Sequence, residues 1–257
     1  MSSAGNSVRL TARGVVRRFG GITAVDGVDL AVPPGRITAL IGPNGAGKST
    51  LFDCLSGTAR PEAGRVLLGG RDITRLPEHA RARLGLARTF QQIAVFPTLS
   101  VAANVRVGAE QHAGGLVRGL LGLPAPGSEQ AGVATDRALA LLGLAAVRDL
   151  PAGDLPAGTL RLLELARALA ATPKVLLLDE PTAGLDAAET ARLGAVLRAL
   201  AAEGMALLLV EHDTELVAEL ADVVYAMAAG RVLAHGPTAA VLADPRVGSA
   251  WGEAGIR

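Results

Sequence analysis

Two groups of residues in this chain have the types and spacing needed to handle phosphate groups, and a third polar group ends a similar apolar run. The first, Gly42-Pro43-Asn44-Gly45-Ala46-Gly47-Lys48-Ser49, fits the pattern G-x-x-x-x-G-K-[ST]. Glycines let backbone N–H groups turn inward around phosphate oxygens, and a helix following such a loop presents the positive end of its dipole. In that pattern Gly42, Pro43, Asn44, Gly45, Ala46 and Gly47 line a cradle, Lys48 reaches the terminal phosphates and Ser49 ligates Mg²⁺, and Thr50, the residue after the pattern, is expected to join the nucleotide site. The second group, Asp179-Glu180, closes the apolar run Val175-Leu176-Leu177-Leu178. Asp179 suits a Mg²⁺ shell, and Glu180, one residue on, suits an attacking water. Acidic pairs at strand ends are common and usually solvated; this one gains meaning from the phosphate loop. The third group, Glu211-His212-Asp213, follows the apolar run Ala206–Val210.

Groups so far apart in sequence need a scaffold that brings them together. Ile37–Ile41, Val175–Leu178 and Ala206–Val210 read as buried parallel strands, each ending in one of the three groups. They alternate with longer Ala/Leu/Arg stretches of helical period, including a helix expected at Ser49–Leu55, so the fold class is α/β with a mostly parallel sheet. Ligands bind at the carboxyl ends of such sheets, which predicts that the three groups converge on one site. Val8–Val16, Val28–Val32 and Arg65–Leu68 read as strands of a smaller, partly antiparallel sheet, with a turn at Phe19-Gly20-Gly21. From Ile93 to Asp154 the strand signal vanishes. Helices are predicted at Val101–Val107 and Thr135–Leu142, separated by a Gly/Pro-rich segment over 114–127, so this region reads as a helical insertion carrying a loop.

The 257 residues, half of them hydrophobic, suffice for one well-cored domain with an insertion. The longest apolar run, Val196–Val210, is broken by Arg198 and Glu203, and nothing approaches the roughly 20 apolar residues that cross a bilayer. Met1–Asn6 is small and polar with no apolar stretch behind it, so a cytoplasmic chain is expected. The single cysteine, Cys54, excludes an internal disulfide and reads as a small buried hydrophobe. The histidines at 79, 112, 212 and 235 lack metal-ligand spacing. A net charge of +1, from 25 basic and 24 acidic residues, gives no field for nucleic acid. Only Lys48 and Lys174 are lysines among the basic residues, which marks Lys48 as a position suited to a compact ammonium.

With these groups placed, the chain resembles the nucleotide-binding subunits of ABC transporters along almost its whole length. Beyond the phosphate loop and Asp179-Glu180, the resemblance rests on Gln91 in Arg88-Thr89-Phe90-Gln91, His212 in Val210-Glu211-His212-Asp213, Asp186 in Gly184-Leu185-Asp186, and the upstream aromatic Phe19. It implies a P-loop NTPase of RecA-like core over 8–92 and 165–236, an antiparallel β subdomain, a helical subdomain over 93–164 and a tail over 237–257. It also implies an ATPase with ATP and Mg²⁺ as ligands. Phe19 would stack on adenine; Ser49, Gln91 and Asp179 would surround Mg²⁺; Glu180, His212 and Gln91 would serve hydrolysis. Gly69-Gly70-Arg71-Asp72-Ile73-Thr74, the glycine-rich segment and a tail ending near Ala250-Trp251-Gly252 look like the longer ATP-binding subunit of branched-chain amino acid importers, a pattern shared largely by urea and amide importers.

The implied partners are a second ATP-binding subunit, identical or different, separate membrane permeases at the cytoplasmic face of the membrane, and indirectly a receptor. One motif departs from the family. Where its members carry Leu-Ser-Gly-Gly-Gln, this chain has Leu155-Pro156-Ala157-Gly158-Thr159, keeping only Leu155 and Gly158. Pro156 supplies neither a hydroxyl nor an N–H. Paired with a subunit of intact signature, such a chain is expected to form one strong and one weak site. Repair-type and translation-type ABC ATPases fit poorly, since neither long heptad-bearing coiled coils nor tandem domains with a basic linker occur. Lipopolysaccharide exporters and binding-only regulatory subunits remain as alternatives.

Overall fold

The computed structural model describes residues 9–89, 94–110 and 128–251. The chain divides into two compact units. The first comprises the residues up to Leu86, Lys174–Pro181 and Leu197 onward; the second comprises Ala87–Pro173 and Thr182–Val196. The insertion predicted over 93–164 falls within the second unit, which also takes in 165–173 and 182–196. The tail predicted from 237 belongs to the first.

In the first unit, β1 (Leu10–Phe19), β2 (Ile22–Val32), β4 (Ala63–Leu68) and β5 (Arg71–Asp72) form an antiparallel sheet of order β2-β1-β4-β5. The second sheet has the order β10-β9-β3-β8-β7, with the short β6 (Leu86–Arg88) at its far edge. Its central strands β3 (Ile37–Ile41), β7 (Val175–Asp179) and β8 (Ala206–Val210) run parallel, as does β9 (Val223–Ala228) beside β3. β10 (Arg231–Pro237) is antiparallel to β9.

All five residues of β3, of β7 and of β8 are buried. Leu40 joins the larger core, which holds inner residues of both sheets together with Leu51, Phe52, Cys54 and Leu55 of α1 (Lys48–Ser56). Ala39 and Ile41, pointing the other way, join Val217, Val241 and Val247 of α7 (Thr214–Leu220), α8 (Thr238–Leu242) and α9 (Pro245–Trp251). With both faces covered, the central strands need unbroken apolar runs, which is why they read so clearly in the sequence.

Arg81 in α2 (Glu78–Ala82) is only 1% exposed. Its guanidinium donates to the carbonyls of Cys54 and Leu55 at the end of α1, and to those of Leu76 and Thr74. It thereby satisfies helix-end carbonyls that have no partner within the helix.

The second unit packs α3 (Val101–Glu110), α4 (Ser128–Leu141) and α5 (Ala157–Ala170) against one another. A Cβ on Gly108 of α3 would collide with the Arg167 carbonyl of α5, so only glycine permits this crossing. The buried Asn104 side chain accepts from the Phe96 N–H and donates to the carbonyls of Phe96, Leu99 and Ser100, which fixes the loop before α3. The unit also holds the first part of α6 (Ala187–Ala202).

Candidate functional site

The phosphate-loop motif occupies the turn from β3 to α1. Ala46 and Gly42 are buried, while Asn44, Gly45 and Ser49 are exposed and Pro43 and Thr50 half-buried. Gly47, the N-cap of α1, has φ of 98° and lies so close to β2 that a Cβ would strike the Ala24 carbonyl. The first helical bond runs from the Leu51 N–H to the Gly47 carbonyl. The amides of Lys48, Ser49 and Thr50 therefore have no acceptor within the helix, which leaves them for an anion.

The Lys48 side chain, 6% exposed, folds back over its own loop. Its ammonium donates to the Gly42 carbonyl at 2.6 Å and the Pro43 carbonyl at 3.1 Å. Burial pushes its pKa below the usual lysine range, while the charges of Glu180 and then Asp179 pull it back up. Because the folded value lies below the unfolded one, the buried ammonium costs stability at neutral pH, a cost that begins to fall as pH passes the folded value and is gone only above the unfolded one. An ammonium held at such a cost is poised for an anionic partner.

Asp179 is buried at the end of β7, opposite Val210 of the parallel β8. Glu180 follows with its N–H bonded to the Val210 carbonyl and its backbone at φ of 47°. A left-handed glutamate is uncommon and is maintained only when its surroundings dictate it. Its Oε1 lies 2.8 Å from His212 Nε2, which stands just beyond the end of β8. Asp213, next in sequence, caps α7 by accepting from the Glu215 and Leu216 N–H groups. The structure thus brings Lys48, Asp179, Glu180 and His212 together within the first unit, at the carboxyl ends of adjacent parallel strands.

Phe19 ends β1, paired with Ile22 across the hairpin, and both are exposed. The hairpin is tied toward the loop through β2 and the β9–β10 turn. The Gly230 N–H donates to the Ala46 carbonyl, the Asp26 N–H to the Gly230 carbonyl, and Arg231 pairs with Asp26 at 2.6 Å.

In the second unit, Leu155 precedes α5, whose N-cap Pro156 makes no side-chain capping bond. Gly158 is buried, and a Cβ there would lie 3.2 Å from the Gly184 carbonyl and 3.3 Å from Glu189 Oε2. Asp186 caps α6 by accepting from the Glu189 N–H, and Glu189 Oε2 accepts in return from the Asp186 N–H. This reciprocal capping box was not foreseen, although Asp-x-x-Glu before a helix is its signature. Gln91 lies outside the described residues, as does the segment 114–127.

The residues present fit a magnesium nucleotide: free helix-start amides and an ammonium for phosphate oxygens, and the oxygens of Ser49 and Asp179 for a hard cation. No cluster of three or more His, Cys, Asp or Glu able to hold a metal occurs among the described residues. Mg²⁺ does not need one, since it is typically held by one or two protein oxygens plus phosphates and water. No helix among the described residues is long and apolar enough to cross a membrane.

Residues 25–183 match the family model described as ABC transporter. The chain is 39% identical over 251 residues to the high-affinity branched-chain amino acid transport ATP-binding protein LivG of Escherichia coli K12, covering 95% of this chain and 98% of that protein. It is 44% identical over 232 residues to the cobalt import ATP-binding protein CbiO of Rhodobacter capsulatus, covering 88% of this chain and 77% of that one. Among solved structures it is similar to the ADP conformation of an ATP-binding cassette of an ABC transporter, with a TM-score of 0.82, 30% identity, and coverage of 95% and 98%.

Proposed function

Because this chain belongs to the ABC transporter family of ATP-binding subunits, whose ATPase activity is coupled to transport, we propose that it powers uptake of branched-chain or similar amino acids through separate permeases. The observation that carries the catalytic part is the Glu180–His212 hydrogen bond at the ends of adjacent parallel strands. Lys48 and the amides at the start of α1 hold the β- and γ-phosphates of ATP, and Phe19 receives the adenine. Ser49, Asp179 and Gln91 would hold Mg²⁺, which when bound neutralises charge on the phosphate oxygens. Glu180 accepts a proton from water as the water oxygen bonds to the γ-phosphorus. The bond from that phosphorus to the bridging β-phosphate oxygen breaks, and ADP and phosphate leave. His212 orients Glu180 through Nε2 and contacts the γ-phosphate.

Two ATP-binding subunits pair, and Leu155, Gly158 and Asp186 of each serve the nucleotide on the other. Pro156 offers no hydroxyl to that nucleotide, which favours a second reading: a heterodimer with one strong site and one weak site. The surface from Phe96 to Asn104, the loop before α3 and the helix's first turn, with Phe96 and Leu99 exposed, faces a permease at the cytoplasmic side of the membrane. End-to-end correspondence with the branched-chain amino acid relative favours that cargo over cobalt, for which the relative has length unmatched here.

The test is reconstitution in vesicles with permeases and a receptor of the branched-chain amino acid importer type. Leucine accumulation that requires ATP is the expected result. Uptake of cobalt or urea with no leucine uptake would replace the cargo proposed.

A further inference from the structure

We propose that Arg17 is a positioning residue for the base of the nucleotide, forming a cationic buttress beneath Phe19. This rests on the ATP-binding reading of the site and adds a residue to it. Arg17 and Phe19 are two apart on β1, and the Arg17 guanidinium carbon lies 4.8 Å from the centre of the Phe19 ring. The guanidinium is also held by polar groups. Its Nη1 donates to the Arg60 carbonyl at 3.1 Å and lies 3.8 Å from Glu62 Oε1, while Nε is buried without a hydrogen-bond partner. Glu62 is itself fixed, accepting from the Arg18 N–H while its own N–H donates to the Val16 carbonyl.

The ring so held is 52% exposed, and its cross-strand neighbour Ile22 is 73% exposed. Two large apolar side chains paired at a hairpin tip form a small platform that water solvates poorly. The hairpin is tied by Ala24 and Asp26 to the turn that also binds Ala46 of the phosphate loop. The platform therefore sits on the phosphate cradle's own scaffold. A flat, electron-rich heterocycle attached to a phosphate chain is the ligand class that suits both.

The cation acts in two ways. Stacked on the inner face, it draws on the ring's negative quadrupole and leaves the outer face a better partner for an electron-rich purine. It also fixes the ring's orientation before the ligand arrives, so less rotamer freedom is lost on binding. The phosphates do not share in this effect, because the guanidinium is committed to the ring, the Arg60 carbonyl and Glu62.

The experiment compares binding of MgATP and of inorganic tripolyphosphate to the full chain by calorimetry. Arg17→Met keeps an unbranched apolar stem and removes the charge. MgATP affinity is expected to fall about 2- to 5-fold, the lower part of the cost of ordering one side chain only on binding, with tripolyphosphate affinity unchanged. Arg17→Lys is expected to recover part of the loss, since it restores a cation without the planar stack. In a Phe19→Ala background, Arg17→Met is expected to add nothing. Unchanged MgATP affinity in Arg17→Met, or an equal loss for tripolyphosphate, would overturn the proposal. Weaker MgATP binding in Phe19→Ala combined with no effect of Arg17→Met would remove only the buttress. No effect of Phe19→Ala at all would remove the base platform and the buttress with it.

Discussion

Arg81 shows how one buried side chain can hold the far end of the helix that starts at the phosphate loop. Burial pulls its pKa down to about 10, so it stays charged at neutral pH, and four carbonyls must offset the hydration it has lost. Two of them belong to the last turn of α1, where a cation is favoured by the helix dipole. The opposite end of that nine-residue helix begins at Lys48. Arg81→Met would leave buried carbonyls unpaired at about 1–3 kcal/mol each, partly offset by the relieved desolvation. A net loss near 3 kcal/mol is expected, or a fall in Tm of about 6–12 °C for a chain of this size. A calorimetric shift below about 2 °C would show that water or relaxation replaces the guanidinium. Nothing in the sequence marked this arginine out, because a charged residue in a short Arg-rich helix normally reads as solvated. Lys48 was legible for the opposite reason, since its neighbours spell out a loop that only phosphate chemistry explains.

At the scale of elements, legibility followed the continuity of burial. The strands β3, β7 and β8 are covered on both faces and their apolar runs are unbroken, so their spans could be read almost residue by residue. The sequence pattern predicts an end to β1 at Val16, yet the strand continues to Phe19 through register shifts near Gly14 and Arg17, because cross-strand pairing with β2 sustains it. β10 escapes a sequence reading because it is half-exposed and mixes polar, small and apolar residues without alternation; β9 is the exception to the rule, a buried apolar run over Val224–Met227 that the sequence reading does not single out. The weakest element for its proposed task is the start of α5. Its N-cap proline satisfies φ but contributes no side-chain acceptor, a lack that typically costs about 1 kcal/mol relative to serine. Pro156→Ser is expected to stabilise the chain by about that amount and to raise steady-state ATPase of the chain alone. If turnover of the chain alone is already fast and the substitution leaves it unchanged, the weak-site reading fails.

At the scale of the whole molecule, the two units differ in how far sequence could define them. The first owes its identity to strands and motifs that each carry a local signal. The second gathers α3, α4 and α5 together with 182–196, and that last piece joins through Gly158 packing on Gly184 and Glu189, a contact between residues far apart in sequence. Hydrophobic periodicity cannot reveal such a contact, whereas a phosphate loop reveals itself in eight residues.

The most direct measurement is MgATP binding set beside phosphate release in Glu180→Gln, a substitution that keeps shape and removes the base. Binding is expected within about 3-fold of the unmodified chain, phosphate release at least about 100-fold slower, and a closed dimer that persists on a sizing column in saturating MgATP. Phosphate release at the unmodified rate would contradict the role given to Glu180, and with it the chemistry assigned to the strand ends around Lys48.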